Sequence, residues 1–160
     1  MKKYLLLFML FSCKNDISFD ENFSFTVRTN TFIISSKENK YTVLKSHKDT
    51  STYFLFSKKE IKEIQKIFLK EKINNMPKKY QTGSCKESAF PFRSTSITIN
   101  YQKKQYIFLI EDCEKYSTED AFNVLKIENF LKKIIETTFS KAEIKRMPKS
   151  NLGYVDTDFL

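Results

Sequence analysis

Apolar and polar positions change period several times along the chain. Residues 4–11, YLLLFMLF, are continuously apolar. In 23–35, FSFTVRTNTFIIS, Phe23, Phe25 and Val27 alternate with polar neighbours, and this period of two predicts a strand extending towards Ile34. Residues 40–46 (KYTVLKS) and 52–56 (TYFLF) predict two more strands, with 36–39 and 47–51 as turns. Connections this short join antiparallel neighbours, because a parallel crossover needs roughly a dozen residues or more.

The period then changes. Ser57 and Glu60 have the spacing of a capping box, and Ile61, Ile64, Ile67 and Phe68 form a helical apolar stripe. A helix is predicted from there to about Ile73, ending before Pro77, with Lys59, Lys62, Lys66 and Lys70 on its other face. Residues 74–93 have no clear period and read as an irregular loop. Ile97, Ile99 and Tyr101, then Tyr106, Phe108 and Ile110, predict a hairpin over 94–101 and 104–112, turning at Gln102 and Lys103. Ser117, followed by Asp120, opens a second helix running to about Phe139, and Ser140 with Glu143 predicts a short extra turn ending near Pro148. The order βββ-α-ββ-α predicts an α+β fold, an antiparallel sheet of about five strands with two main helices on one face.

The apolar run at 4–11 fits none of these elements. A bilayer-spanning helix needs about 20 apolar residues, so eight do not cross as a mature helix. A basic start at Lys2 and Lys3 followed by a short apolar core is the pattern of an export signal. The small-x-small cleavage site of an ordinary signal peptide is missing, and Leu10-Phe11-Ser12-Cys13 stands in its place. This stretch resembles the lipobox of bacterial lipoproteins, although Phe11 is bulkier than the residue common there. The resemblance covers residues 1–16 only, and no family is recognised for the domain behind it. It implies cleavage before Cys13, a diacylglyceryl thioether on that thiol and a further acyl chain on the freed amine. Each buried methylene contributes about 0.8 kcal/mol, so two or three chains anchor stably where one does not. Lys14 occupies the position where an aspartate favours inner-membrane retention in enteric-type lipoproteins, which favours delivery to the outer membrane of a Gram-negative envelope.

The resulting organisation is a signal peptide at 1–12, an acylated tether at 13–22, one domain at 23–148 and a loosely attached tail at 149–160. With Cys13 acylated, Cys85 and Cys113 remain, and an oxidising compartment favours their disulfide over two buried thiols. The bridge would tie the irregular loop to the hairpin. In that loop Tyr80, Phe90, Phe92 and Arg93 form a candidate partner-contact surface; the alternative is that these rings fold back onto the core.

Composition narrows the function classes further. The net charge is +9, and about +7 without residues 1–12, but the lysines are spread among glutamates with no compact Arg-rich run. No nucleic-acid motif is present and no nucleic-acid partner is expected. With 2 Gly in 160 residues there is no phosphate-cradling loop, and no zinc-protease or nucleophile-elbow motif occurs. The single His47 lies in a polar turn near Asp49, without a nucleophile motif beside it. Glu111, Asp112 and Glu114 crowd around Cys113 but lack calcium-loop spacing. No catalytic residue, metal or cofactor is therefore expected. The favoured reading is a membrane-anchored envelope lipoprotein acting as a binding module, of inhibitor, immunity or accessory-subunit type. The alternatives are an envelope enzyme of unrecognised type and a structural lipoprotein with a basic face on anionic membrane.

Overall fold

The computed structural model describes residues 19–82, 94–111, 113 and 116–150. They form an α+β fold with seven strands: β1 (Ser24–Arg28), β2 (Phe32–Ser35), β3 (Lys40–Val43), β4 (Thr50–Tyr53), β5 (Lys79–Gln81), β6 (Ser94–Tyr101) and β7 (Lys104–Glu111). The helices are α1 (Lys58–Lys70), α2 (Thr118–Phe139) and the short α3 (Ala142–Lys145). One sheet holds all seven strands in the order β4-β3-β2-β1-β6-β7-β5. Its neighbours are antiparallel except β5 and β7, which run parallel.

Seven strands replace the five expected, for two physical reasons. The single strand expected over 23–35 is a hairpin, β1 and β2. The Thr29 hydroxyl accepts the amides of Thr31 and Phe32, each at 3.1 Å, and reverses the chain with no glycine or proline. The irregular stretch 74–93 begins within a 3-10 turn, Ile73–Asn75, and contains the three-residue β5. A strand that short has no readable period and exists because its backbone pairs with β7.

Local signals at the starts of α1 and α2 held. Ser57 Oγ accepts the Glu60 amide at 3.2 Å, and Glu60 Oε2 accepts the Ser57 amide at 2.7 Å. Ser117 Oγ accepts the Asp120 amide at 3.1 Å. The C-terminal ends differ from expectation. Helix α1 stops at Lys70 because Lys72 turns left-handed at φ 56°. Ser140 does not cap α3; its hydroxyl donates back to the Thr137 carbonyl at 2.7 Å, and Lys141 occupies the N-cap with no side-chain capping bond.

The core lies between one sheet face and the helices. Phe25, Val27, Ile34, Tyr41, Ile97, Ile99, Tyr106 and Phe108 point into it. Phe68 of α1 is fully buried among the rings of Phe23, Tyr101, Tyr106 and Phe130, at 5.2–5.8 Å between centroids. Phe139 of α2 closes the other side against Phe32 and Tyr41, both at 5.8 Å. Contacts of Lys141 with Glu60, Lys133 with Glu63 and Phe130 with Phe68 show that α1 and α2 run antiparallel.

The strand register also assigns the two ends of the sheet. Ser24 pairs with Asn100, and Tyr101 pairs with Lys104, so the chain enters the sheet at the end holding the β6–β7 turn. Ser94 and Glu111 lie at the opposite end, about 24 Å away for strands of eight residues, and Arg28, beside Ser96, lies towards it. Residue 82 leaves β5 and residue 94 enters β6 at that far end as well.

Candidate functional site

The helices cover one sheet face, and no described helix packs on the other. Residues of this second face run across the strands in rows. One row holds Ser51, Thr42, Ile33, Arg28, Ser96, Leu109 and Gln81. The next holds Tyr53, Lys40, Ser35, Thr26, Thr98, Ile107 and Lys79. Short hydroxyl and amide side chains bond sideways along this surface. Thr42 and Ser51 share a hydrogen bond at 2.9 Å, and Asn100 Nδ2 donates to Ser24 Oγ at 3.1 Å. Ile33, Ile107 and Leu109 are half-buried, while Tyr53 is 72% exposed. Apolar side chains thus lie among short hydroxyl and amide side chains on this face.

A second surface lies where the chain enters the domain. Asp20 Oδ1 accepts the Asn22 amide at 2.9 Å, and its Oδ2 accepts the Gln102 amide across the sheet end. The last residues of the expected tether are thereby fixed to the β6–β7 turn. Burial, together with the Asp20 carboxylate, raises the nearby Tyr101 phenol above its ordinary pKa. One residue earlier, Phe19 lies against α1 with Lys62 Nζ 5.5 Å from its ring centroid. Phe19, Lys58, Lys59, Lys62, Glu63 and Lys66 line an open recess of about 420 Å³. Glu63 is committed to Lys133 at 3.2 Å, so the lysines dominate the charge of this surface.

Several expected site residues fall elsewhere. Tyr80 belongs to β5, not to a loop; its ring packs on the core and its hydroxyl donates to Asp120 Oδ1 at the start of α2. Burial, then that carboxylate, pushes the Tyr80 phenol well above its ordinary value. Cys13, Cys85, Phe90, Phe92 and Arg93 lie outside the described residues. Cys113 sits just beyond the far end of β7, its sulfur 3.5 Å from the Glu111 carbonyl oxygen. His47 is exposed, and the neighbouring Asp49 carboxylate accepts the Lys45 amide at 3.1 Å. Glu111 accepts from Gln81 Nε2 at 3.3 Å, while Asp112 and Glu114 lie outside the described residues.

Among the described residues no three His, Cys, Asp or Glu side chains are grouped to hold a metal, and no helix is long and apolar enough to cross a membrane. Sequence reasoning missed Phe19 and Asp20, which fall inside the expected tether. The spacing of Asp20 to Asn22 is that of an Asx turn and was the available signal. No family model matches the chain, and no curated protein is similar to it.

Proposed function

We propose that the protein is a lipid-anchored binding module of a Gram-negative envelope, acylated at Cys13, whose partner surface is the sheet face opposite the helices. The observation that supports the binding half is that face itself. Its apolar residues, Ile33, Ile107 and Leu109, lie on adjacent rows among Ser and Thr side chains, of which Thr42 and Ser51 are hydrogen-bonded to each other. An antiparallel sheet with one face towards water normally alternates strictly to polar outside, and these three positions depart from that rule. The anchoring half is supported by Lys2, Lys3, the apolar run 4–11 and Leu10-Phe11-Ser12-Cys13. The same reading pairs Cys85 with Cys113 across a loop of about 28 residues.

Each half has its own experiment. Labelled palmitate is expected to enter the wild type and not Cys13→Ala, with the variant lost from the membrane fraction; no label in the wild type overturns the anchor. A photoreactive residue in place of Thr98 or Ile107 is expected to crosslink a discrete partner in native membranes. The same residue at exposed Lys132 on α2 is the control. Crosslinks from Lys132 with none from Thr98 or Ile107 overturn the assignment of the face.

A further inference from the structure

We propose that the lysine face of α1 lies on anionic lipid headgroups, so that the opposite face of the sheet looks away from the membrane. This rests on Cys13 as the anchor. Three observations carry it. Lys58, Lys62, Lys66 and Lys70 repeat every four residues along α1 and are exposed, making a cationic stripe about 18 Å long. Among the described residues, none of Lys58, Lys59, Lys62 and Lys66 is ion-paired, and the two carboxylates among them, Glu60 and Glu63, are drawn off by Lys141 and Lys133.

The second observation is where the chain arrives. Phe19, 41% exposed, lies on this face beneath Lys62, and it stands six residues from Cys13. Six residues span at most about 20 Å even when fully extended. An acyl-bearing Cys13 therefore keeps this face, rather than the far end of the sheet, close to the bilayer. An aromatic ring flanked by lysines suits the boundary between headgroup and acyl chain.

The third is the layering. Helices α1 and α2 cover one sheet face through Phe68 and Phe130, so the outer side of α1 points opposite to Thr26, Thr98 and Ile107. A membrane on α1 leaves the recognition rows facing outward. The far end of the sheet, where Cys113 lies, β5 ends and β6 begins, is opposite the end that Asp20 holds. Anionic lipid, rather than an acidic protein, is the favoured occupant because the short tether holds the lysines at the bilayer whatever else binds.

Lysine footprinting tests this on the full-length acylated protein inserted into the outer leaflet of preformed vesicles. Amine-reactive labelling of Lys59, Lys62 and Lys66 is expected to fall about fivefold in phosphatidylglycerol-containing vesicles relative to phosphatidylcholine alone. Lys40 and Lys79, on the opposite face, are expected to label equally in both, and high salt is expected to restore most of the lost labelling. Equal labelling of the α1 lysines in the two vesicle types overturns the proposal. So does their protection in detergent at rising protein concentration, which would place a second copy on the face. The mass of the N-terminal peptide from the same sample reads the anchor separately. A peptide without acyl mass overturns the anchor, while unchanged α1 labelling on an acylated chain overturns only the orientation.

Discussion

Lys141 Nζ stands 2.7 Å from both carboxylate oxygens of Glu60, 81 positions away along the chain. The same carboxylate accepts the Ser57 amide and closes the capping box of α1. One side chain thus caps the first helix and ties it to the junction of α2 and α3. Burial opposes ionisation of Glu60, but the Lys141 ammonium and the Ser57 donors outweigh it and hold the carboxyl below its ordinary value.

Glu60→Gln is therefore expected to destabilise the fold by about 1–2 kcal/mol at neutral pH, combining a weakened cap with a partly exposed ion pair. Because the folded pKa is depressed, that contribution is complete above the unfolded value of 4.5 and is lost as pH falls through the lower folded value. Urea melts of both proteins should differ at neutral pH and converge in strong acid. A constant gap at all pH values would mean the carboxylate charge is not the source.

Tyr80→Phe leaves the Asp120 carboxylate without the phenol donor and is expected to cost about 1–2 kcal/mol. The Tyr80 pKa is raised, so the sign runs the other way. Its contribution is complete below the unfolded value of 10.0 and declines as pH rises above it, since the unfolded chain ionises first. Ultraviolet titration of tyrosinate should show a group titrating well above the ordinary range in the native wild type that is missing from the variant.

Gln65 is 1% exposed on α1, and neither its Nε2 nor its Oε1 has a hydrogen-bond partner. A buried amide in that state is a net cost, so Gln65→Leu is expected to raise stability by about 1–2 kcal/mol. Thermal melts at matched pH check this. A loss of stability would show that the site is too tightly shaped for the branched side chain, and Gln65→Met then separates shape from polarity.

The β6–β7 turn places Gln102 at φ 48° and Lys103 at φ 60°, both left-handed and neither glycine. Such two-residue turns match the twist of a hairpin but favour Asn and Gly. Lys103→Gly is expected to stabilise by about 0.5–1 kcal/mol, read from the denaturant midpoint at unchanged slope.

The proposed Cys85–Cys113 bridge closes a loop of about 28 residues, worth roughly 3–4 kcal/mol in the chain-entropy model. Reductant is expected to lower the melting temperature of the wild type and leave the Cys85→Ser, Cys113→Ser double variant unmoved. Two alkylatable thiols in the native wild type would contradict the bridge.

Much of the framework was legible in sequence because its causes are local. Alternation over residues 94–101 and 104–111 sets a hairpin, and Ser57 with Glu60 starts a helix, through contacts that span only a few residues. The reversal at Thr29–Thr31 escaped because a threonine hydroxyl does there what a glycine usually signals. The three-residue β5 escaped because only its pairing with β7 makes it a strand.

What the tertiary structure decided is which local pieces share a surface. The register of β1 on β6 joins the N-terminal meander to the later hairpin, putting Thr26 beside Thr98 and, one strand further, Ile107. The packing of Phe68 and Phe130 on the other face commits both helices to that side. Together these leave one face open and carry Phe19 onto the lysines of α1. The physical reason is that alternation states which residues must be buried, while burial can be met by many partners. Only the simultaneous packing of rings from β1, β6, β7, α1 and α2 selects one arrangement, and the positions of the two surfaces follow from it.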